Sequence, residues 1–313
     1  MTVETAQALA RANNSMRRSE MKIIVGIPSA GRRDIVAAVL PHLSQQIRQP
    51  DEIIICVPTA DDVDATALPR LPCPVRVLVS QRGSCRQRNA ILDAAPDADI
   101  VLFLDDDFLL SPNYLSEMEH LFLKNPDVDI STGTVIADGI TGPGIAVTKG
   151  LELLRSTPEP NDETPISTTY NGYGCNLAVR MSAVHIGGLR FDENLPLYGW
   201  LEDVDFSRVA ARYGRVVTSP RLIGVHLGTK VGRTSSLRFG YSQIANPIYL
   251  MRKETMSLRH ATTQMGRNLL ANLFKVWRPE PWIDRKGRLS GNLLGLRHLV
   301  TGQLAPRNIE NMD

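Results

Sequence analysis

Short runs of consecutive apolar residues alternate with amphipathic segments over the first hundred residues of the chain. The four runs are KIIVGI (22–27), EIIICV (52–57), VRVLV (75–79) and IVLFL (100–104). Each is β-branched or aliphatic on both faces, a pattern typical of parallel strands that helices cover on both sides. The alternation predicts β-α-β units with right-handed crossovers, in which ligands bind beyond the carboxyl ends of the strands.

Two of the gaps between these strands have helical periodicity. After Asp34, a candidate N-cap, apolar residues recur at i, i+4 spacing: Ile35, Val39, Leu43 and Ile47. Pro41 should shorten or kink this helix because proline lacks the N–H that a helix interior needs. Ser84 is predicted to cap a second helix that runs through Ala95.

Beyond the aspartates at 105–107 the pattern is less regular. It predicts helices at 113–124 and 203–213, strands at 130–136, 176–180 and 215–218, and a mostly helical region from Leu237 onward. Residues 137–169 are rich in Gly, Pro and Thr, so we expect a mobile loop there that acts as a lid over a site. The resulting organisation is a flexible leader (1–20), a main domain (21–235) and a helical, basic C-terminal extension (236–313).

Composition agrees with an ordinary globular protein of 313 residues, 43% hydrophobic and 22% charged. No apolar run is long enough to span a bilayer, and the first twenty residues lack the hydrophobic core of a secretory signal. The four cysteines have no paired spacing, which supports neither a zinc site nor a disulfide framework. We therefore expect reduced thiols in a cytoplasmic protein.

Charge is distributed unevenly along the chain. The segment from Thr255 to Ile309 contains nine Lys/Arg residues and only two acids, Glu280 and Asp284. Its net charge is therefore +7, whereas that of the whole chain is +2. A basic C-terminal region favours a phosphate-bearing or otherwise anionic partner. Nucleic acid is not expected, because aromatic residues make up only 5% and the rest of the chain is acidic.

Three consecutive aspartates follow the strand at 100–104 and are the strongest chemical signal. Adjacent side chains on extended backbone point to opposite sides, so Asp105 and Asp107 should share one direction and Asp106 the other. Like charges at the end of a buried strand are costly unless a cation offsets them, and Mg²⁺ or Mn²⁺ prefers such oxygen ligands. An acidic turn that caps the next helix is the alternative.

A second acidic cluster occurs in LYGWLEDVDFSRVAARYG (197–214). Glu202, Asp203 and Asp205 open a predicted helix, where carboxylates are favoured by the helix dipole alone. A carboxylate beside Gly199 and Trp200 would also suit a general base that accepts a proton from a hydroxyl group. By itself this signal is weak.

Two basic segments could contact an anion. SQRGSCRQRN (80–89) places arginines in a first helical turn after a glycine, and GVHLGTKVGR (224–233) surrounds His226 with glycines, Lys230 and Arg233. Arginines on a solvated helix face and a histidine with a structural hydrogen bond are the simpler explanations.

Taken in order, these segments resemble the family 2 glycosyltransferases of the GT-A fold over roughly residues 22–230. The resemblance rests on KIIVGIPSAGRR, GSCRQRN, FLDDDF, GCNLAVRMSAVHIGGLRFDENL and GWLEDVDFSRVAARYG followed by His226. It implies an α/β, Rossmann-like mixed sheet flanked by helices, with the helical C-terminal extension added. It also implies an inverting, metal-dependent enzyme that uses a nucleotide-diphospho-sugar, with UDP as the default nucleotide.

The resemblance also assigns roles to individual residues. Asp203 corresponds to the general base, with Glu202 as its neighbour and second candidate. Asp107 corresponds to the main metal ligand, assisted by Asp105 and His226, and the cofactor would be Mn²⁺ or Mg²⁺. Residues expected to contact the nucleotide-sugar are Pro28, Ser29, Arg32, Gly83, Arg88, Asp105, Asp106 and Trp200. Trp200, together with the glycine-rich turn at 172–176, would shape the sugar and acceptor pocket.

One departure concerns the nucleobase. The family usually has an acidic pair directly after the second strand, whereas this chain reads CVPTADD (56–62), so the role of binding the nucleobase is vacant or displaced to Asp61 or Asp62.

Three other classes of protein are alternatives to the glycosyltransferase. A non-catalytic nucleotide-sugar or anionic-lipid-binding protein on the same fold would not need Asp203. A sugar-nucleotide pyrophosphorylase would need a glycine-rich signature near the first strand, and a dehydrogenase would need G-x-G-x-x-G.

The expected acceptor is a saccharide or a lipid-linked saccharide in polysaccharide or glycolipid assembly.

In the C-terminal extension, apolar residues recur at near-helical spacing between Met256 and Trp277, and a basic RKGR cluster follows (285–288). Packing within a helical tail explains this pattern, and so does an interfacial helix that binds anionic lipid headgroups. The second explanation predicts peripheral association with the inner face of the cell membrane.

Overall fold

The computed structural model describes residues 20–312 except 65–67, 69, 159, 162–163 and 233. The predicted leader lies, apart from its last residue, outside the described residues, and so does Arg233. The strands are β1 (Ile23–Pro28), β2 (Glu52–Val57), β3 (Val75–Val79), β4 (Ile100–Leu104), β5 (Phe108–Leu110), β6 (Val128–Asp138), β7 (Ser167–Thr168), β8 (Asn176–Arg180) and β9 (Arg215–His226). They form one mixed sheet in the order β3-β2-β1-β4-β8-β6-β9-β5, and β7 pairs with β9.

Helices cover both faces of this sheet. They are α1 (Arg33–Val39), α2 (Ser84–Ala94), α3 (Tyr114–Lys124), α4 (Val147–Ser156), α5 (Met181–Gly187), α6 (Glu202–Ala210), α7 (Ser236–Arg252), α8 (Leu258–Lys275) and α9 (Arg285–Val300). Short 3₁₀ helices occupy Leu40–Gln45, Ala60–Asp62 and Pro306–Asn311. The α/β architecture predicted from the sequence is thus confirmed. Among the described residues no helix has the length and apolar character needed to cross a membrane.

The first four strands lie within one residue of their predicted bounds. β1 pairs in parallel with both β2 and β4, and β2 pairs in parallel with β3. Every residue of β4 is buried, because helices cover both of its faces. Consequently the loops after β1, β2 and β4 emerge at the same edge of the sheet, where the aspartates begin.

The helix boundaries differ slightly from the prediction. α1 ends at Val39, and the chain continues as a 3₁₀ helix with Pro41 in its first turn, as the missing proline N–H requires. Ser84 is the first residue of α2 rather than its cap, and Gly83 occupies the cap position with φ 142°. A residue with a Cβ would be strained in that conformation.

The expectation of a loop throughout 137–169 is wrong for residues 147–156, whereas its mobility and its role as a lid stay predictions. Residues 147–156 form α4, whose apolar side packs on Leu109, Val225 and Leu227. The contact is close because Gly150 lacks a Cβ, which would lie 2.8 Å from Leu109 Cδ1. Only Gly150 of α4 is fully buried, which explains why no apolar periodicity marks this helix clearly.

β9 is much longer than the predicted strand at 215–218. It continues through Pro220 to His226 and pairs in parallel with β6, with irregular register between Gly133 and Thr134 and between Val135 and Ala137. Because proline cannot donate to a strand ladder, Pro220 favours a strand that ends before it. The irregular register between β6 and β9 tolerates a residue without an N–H. The additional length of β9 matters because it aligns His226 with Asp138 of β6 and with Phe108 of β5.

The C-terminal extension is helical as predicted and packs as a three-helix unit. Its interior contains buried amides: Asn272 donates to Gln243 Oε1 (2.9 Å) and to Asn292 Oδ1 (2.8 Å). The side chain of Asn246 in α7 donates to the carbonyl oxygen of Trp200 (2.7 Å), just before α6. The extension therefore contacts the loop that leads into the second acidic cluster.

Candidate active site

The three aspartates after β4 point in the two predicted directions, although the chain forms a turn here rather than extended backbone: the Phe108 N–H donates to the Asp105 carbonyl (3.2 Å). Asp106 turns toward β1, where it accepts hydrogen bonds from Ser29 Oγ (2.5 Å) and from the guanidinium of Arg32 (2.8 Å). Burial raises the pKa of Asp106 to about 6, against the lowering effect of Arg32. Two of the predicted nucleotide contacts, Ser29 and Arg32, thus hold Asp106 in place.

Asp105 and Asp107 turn the other way, toward His226 at the end of β9. The Nε2 atom of His226 lies 3.3 Å from Asp107 Oδ1 and 3.8 Å from Asp105 Oδ2. One ligand atom from each of the three residues fits within 4.8 Å of the others. Two carboxylates and an imidazole form a donor set that suits a divalent cation.

Asp107 has an unusual environment for a buried carboxylate. Its Oδ2 accepts hydrogen bonds from the backbone N–H and the hydroxyl of Thr229 (2.7 and 2.8 Å), whereas its Oδ1 accepts no well-aligned hydrogen bond from the described residues and has His226 Nε2 3.3 Å away. Burial opposes ionisation, but His226, Arg32 and the Thr229 N–H outweigh it and hold the pKa of Asp107 well below its usual range. An ionised oxygen beside an imidazole nitrogen and a second carboxylate offers ligand atoms for a cation, so these residues fit a divalent ion.

His226 lies between two carboxylates. Its Nδ1 is 2.9 Å from Oδ1 of Asp138, a residue that the sequence analysis did not single out. Burial alone would lower the pKa of His226, but Asp107 and Asp138 raise it to about 10. Without a cation the imidazole therefore carries the positive charge that balances these acids.

The second acidic cluster lies at the start of α6. The backbone N–H of Gly174 donates to Asp203 Oδ2 (3.0 Å), and the N–H of Val204 donates to Oδ1 (2.8 Å). Burial raises the pKa of Asp203, and these hydrogen bonds and Arg88 partly offset the rise. Each oxygen keeps one lone pair, so Asp203 can still accept a proton.

Arg88 connects the two acidic clusters. Its buried guanidinium donates to Glu202 Oε1, to the carbonyl of Gly174 (2.9 Å) and, at 3.3 Å, to Asp105 Oδ1. Burial raises the pKa of Glu202 to about 8, although Arg88 favours its ionised form. Arg88 was predicted to contact the nucleotide; that contact stays a prediction, but its place between Asp105 and Glu202 was not foreseen.

The remaining predicted contacts surround the same edge of the sheet. Pro28 ends β1 opposite Cys56, and Gly83 precedes α2. Trp200 precedes α6 and packs edge-on against Phe239 of α7, with ring centroids 5.8 Å apart. Asp62 accepts a hydrogen bond from the Gly31 N–H (2.8 Å), so it lies beside the β1 loop near Arg32.

A segment after β9 closes over the aspartates. Arg32 donates to the carbonyl of Val231 (2.9 Å), and the ammonium group of Lys230 donates to the carbonyls of Gly139 and Ile140 (3.0 Å each). These bonds attach the segment to the β1 loop and to the end of β6, and Thr229 attaches it to Asp107. Lys230 is among the residues predicted to contact an anion, whereas Thr229 is not, because a hydroxyl residue between a glycine and a lysine has no distinctive pattern.

Comparison with known families gives a match for the first part of the described chain. Residues 21–140 match a family described as "Glycosyltransferase like family 2". This region is less than half of the chain; it includes the three aspartates and Asp138 but not Glu202, Asp203 or His226. No curated protein matches the chain.

Solved structures of S. aureus TarS share the fold. A structure of TarS residues 1–349 has 14% sequence identity and a TM-score of 0.52, with 91% of this chain and 82% of that chain covered. A structure of the same fragment in complex with UDP-GlcNAc has 14% identity and a TM-score of 0.50, with 90% and 93% covered. Against a longer TarS structure (15% identity, TM-score 0.49), the match covers 83% of this chain but only 44% of that chain.

These findings give the chain a GT-A-like fold, as the sequence motifs predicted. Within it, residues 21–140 match a family 2-like glycosyltransferase domain.

Proposed function

We propose that this enzyme transfers a sugar from a nucleotide-diphospho-sugar to an acceptor hydroxyl, with inversion at the anomeric carbon and with the help of a divalent cation. The observation that carries the proposal is the meeting of two acidic clusters across one arginine: Arg88 contacts both Asp105 and Glu202. A cation-binding group and a candidate base therefore share one site. A UDP-sugar is the donor we propose first, because one structure of the same fold was solved with UDP-GlcNAc.

Asp203 is the proposed general base. Backbone N–H groups fix both of its oxygens, so the carboxylate is oriented before the acceptor arrives. Its raised pKa makes the ionised carboxylate a better proton acceptor. Glu202 is the less suitable candidate, because it is buried against Arg88 and has a pKa of about 8.

The donor side of the site is proposed to consist of the aspartates and the β1 loop. Asp105, Asp107 and His226 would hold Mn²⁺ or Mg²⁺. A bound divalent cation would offset the negative charge that develops on the departing nucleoside diphosphate. Arg32 and Lys230 add fixed positive charge beside the aspartates. Since the acceptor hydroxyl attacks directly, no enzyme nucleophile is required and the configuration inverts.

The acceptor is proposed to be a saccharide or a lipid-linked saccharide, and the extension (236–313) is proposed to bring the main domain (21–235) to an anionic membrane surface. Leu270, Phe274 and Trp277 lie on one side of α8 and just past its end; Phe274 is 74% and Trp277 86% exposed. Only Ala261 and Asn272 of α8 are fully buried. Exposed aromatic side chains within a segment of net charge +7 are complementary to anionic headgroups.

Vesicle binding tests this surface. The enzyme should sediment with vesicles that contain phosphatidylglycerol, less so in high salt, and Trp277→Ser should weaken that binding. Ile47→Ser is the matched control, since Ile47 is 75% exposed but lies outside the basic region. Equal sedimentation with neutral vesicles, or no effect of Trp277→Ser, would contradict the membrane proposal.

Donor and stereochemistry can be tested together. We expect one nucleotide sugar in a panel, added with Mn²⁺, to raise the melting temperature most, because a ligand that binds only the folded state stabilises it. Proton NMR of the transfer product should then show the anomeric configuration opposite to that of the donor. Retained configuration would contradict the proposed single displacement.

A further inference from the structure

Asp138 and His226 are paired across two neighbouring strands. They are register partners in the parallel pairing of β6 and β9, and Nδ1 of His226 lies 2.9 Å from Asp138 Oδ1. The pairing follows a register shift between Val135 and Ala137. Without that shift, Asp138 would not be aligned with the histidine.

Asp138 is itself held in one orientation. Its Oδ1 also accepts a hydrogen bond from the Ile140 N–H (2.9 Å), and its Oδ2 accepts one from the hydroxyl of Tyr173 (2.8 Å). The ring of Tyr173 meets that of His226 edge-on, with centroids 6.1 Å apart. Tyr173 therefore contacts both members of the pair.

These contacts determine which nitrogen of His226 faces the aspartates. A carboxylate fixed at Nδ1 requires the proton on that nitrogen, so Nε2 is the nitrogen left for a cation. In this structure Nε2 does point to Asp107 and Asp105, at 3.3 and 3.8 Å. A carboxylate behind a histidine typically orients the ring and raises its strength as a ligand.

We propose that Asp138 is a positioning residue that holds His226 with Nε2 directed at Asp105 and Asp107, and that Tyr173 holds Asp138 in turn. This inference rests on the cation site of the proposed function. It adds two residues that act on the cation only through His226.

The test is Mn²⁺ binding measured by electron paramagnetic resonance, without donor or acceptor. Asp138→Asn should weaken binding by about tenfold, the smaller effect usual for such partners. Asn can keep its oxygen toward Ile140 and His226, so the change removes charge but keeps shape. Tyr173→Phe should weaken binding less than Asp138→Asn does, because the carboxylate remains.

A double-mutant cycle separates positioning from a general structural role. In a His226→Gln background, Asp138→Asn should have at most about a twofold further effect, because the residue through which it acts is gone. An equal loss in both backgrounds, or no loss in either, would overturn the inference. Asp127→Asn is the matched control, since Asp127 is an exposed acid that precedes the same strand and pairs with Arg215.

Failure of this inference is distinguishable from failure of the proposed function. If the native enzyme binds Mn²⁺ and Asp138→Asn binds it equally well, Asp138 has no positioning role and the transferase proposal is unaffected. If the native enzyme binds no Mn²⁺, the inference is overturned, and sugar transfer is still judged separately by its products.

Discussion

The buried guanidinium of Arg88 donates a hydrogen bond to Glu202, a residue 114 positions away in the chain. The same group lies 3.3 Å from Asp105, so one side chain joins the acidic cluster after β4 to the one that opens α6. Removing either carboxylate would leave a buried cation with fewer partners, and removing the arginine would leave buried acids. Arg88 therefore couples the cation site to the candidate base.

This coupling predicts a change in the pH dependence of activity. Arg88 lowers the pKa of Asp203, which must be ionised to act as a base. In Arg88→Gln the pKa of Asp203 should rise, so the acid limb of the profile of kcat/KM against pH should move to higher pH. Arg88→Lys retains the charge and should move it less. An acid limb at the same pH in all three proteins would contradict the assignment of Asp203 as the base.

Asp203 and Glu202 should differ in their effects on rate. Asp203→Asn removes the proton acceptor and should lower kcat by about 10²–10⁴-fold, the usual contribution of a general base, with little change in donor affinity. Glu202→Gln should lower kcat less, because Glu202 faces Arg88 rather than a substrate. Steady-state kinetics and donor titrations measure both effects. A larger loss of kcat for Glu202→Gln than for Asp203→Asn would indicate that Glu202 is the general base.

Asp107 should be required for stabilisation by Mn²⁺. At a Mn²⁺ concentration one hundred times its Kd, the native protein should gain about 2.7 kcal/mol of unfolding free energy. Asp107→Asn should lose most of this gain, because it replaces an ionised oxygen at the site. Thermal unfolding with and without Mn²⁺ measures the difference. Asp97→Asn, which changes an exposed acid elsewhere, should keep the full gain.

A buried network at Asp205, in the same first turn of α6 as Asp203, should contribute to stability. Asp205 is fully buried and accepts hydrogen bonds from Lys253 (2.7 Å) and from the Thr255 hydroxyl (2.6 Å). Lys253→Met should lower the unfolding free energy by about 3 kcal/mol, since removing one partner leaves a buried charge uncompensated.

The control for that change is Lys149→Met. Lys149 and Glu152 form an exposed pair on α4, so its loss should cost less than about 1 kcal/mol. Chemical denaturation of the two variants gives the comparison. Equal losses would mean that burial of Asp205 does not determine the cost.

The sequence predicted the central sheet well, because its strands are buried on both faces and read as continuous apolar runs. It also predicted that Asp105 and Asp107 face one way and Asp106 the other, although the prediction assumed extended backbone where the chain forms a turn. These features depend only on residues that are adjacent in the chain. The helix α4 was missed because it buries one glycine and otherwise only covers part of the sheet edge.

What the sequence could not predict depends on contacts between distant segments. Asp138 meets His226 only because β9 continues past Pro220 and because its register with β6 shifts after Val135. Arg88 reads as a surface arginine in a first helical turn, and nothing near it in the chain indicates Glu202. A single sequence contains no signal for such pairs, since neither hydrophobic periodicity nor local motifs encode register.

The most direct test of the central claim is the identity of the nucleotide that the enzyme releases. The native enzyme is incubated with Mn²⁺, a mixture of saccharide acceptors and each of several nucleotide sugars, beginning with UDP-GlcNAc, and the products are separated by ion-exchange chromatography. We expect a nucleoside diphosphate to accumulate with the native enzyme and far less of it with Asp203→Asn. Release of a nucleoside monophosphate or pyrophosphate, or equal release by both proteins, would contradict the account.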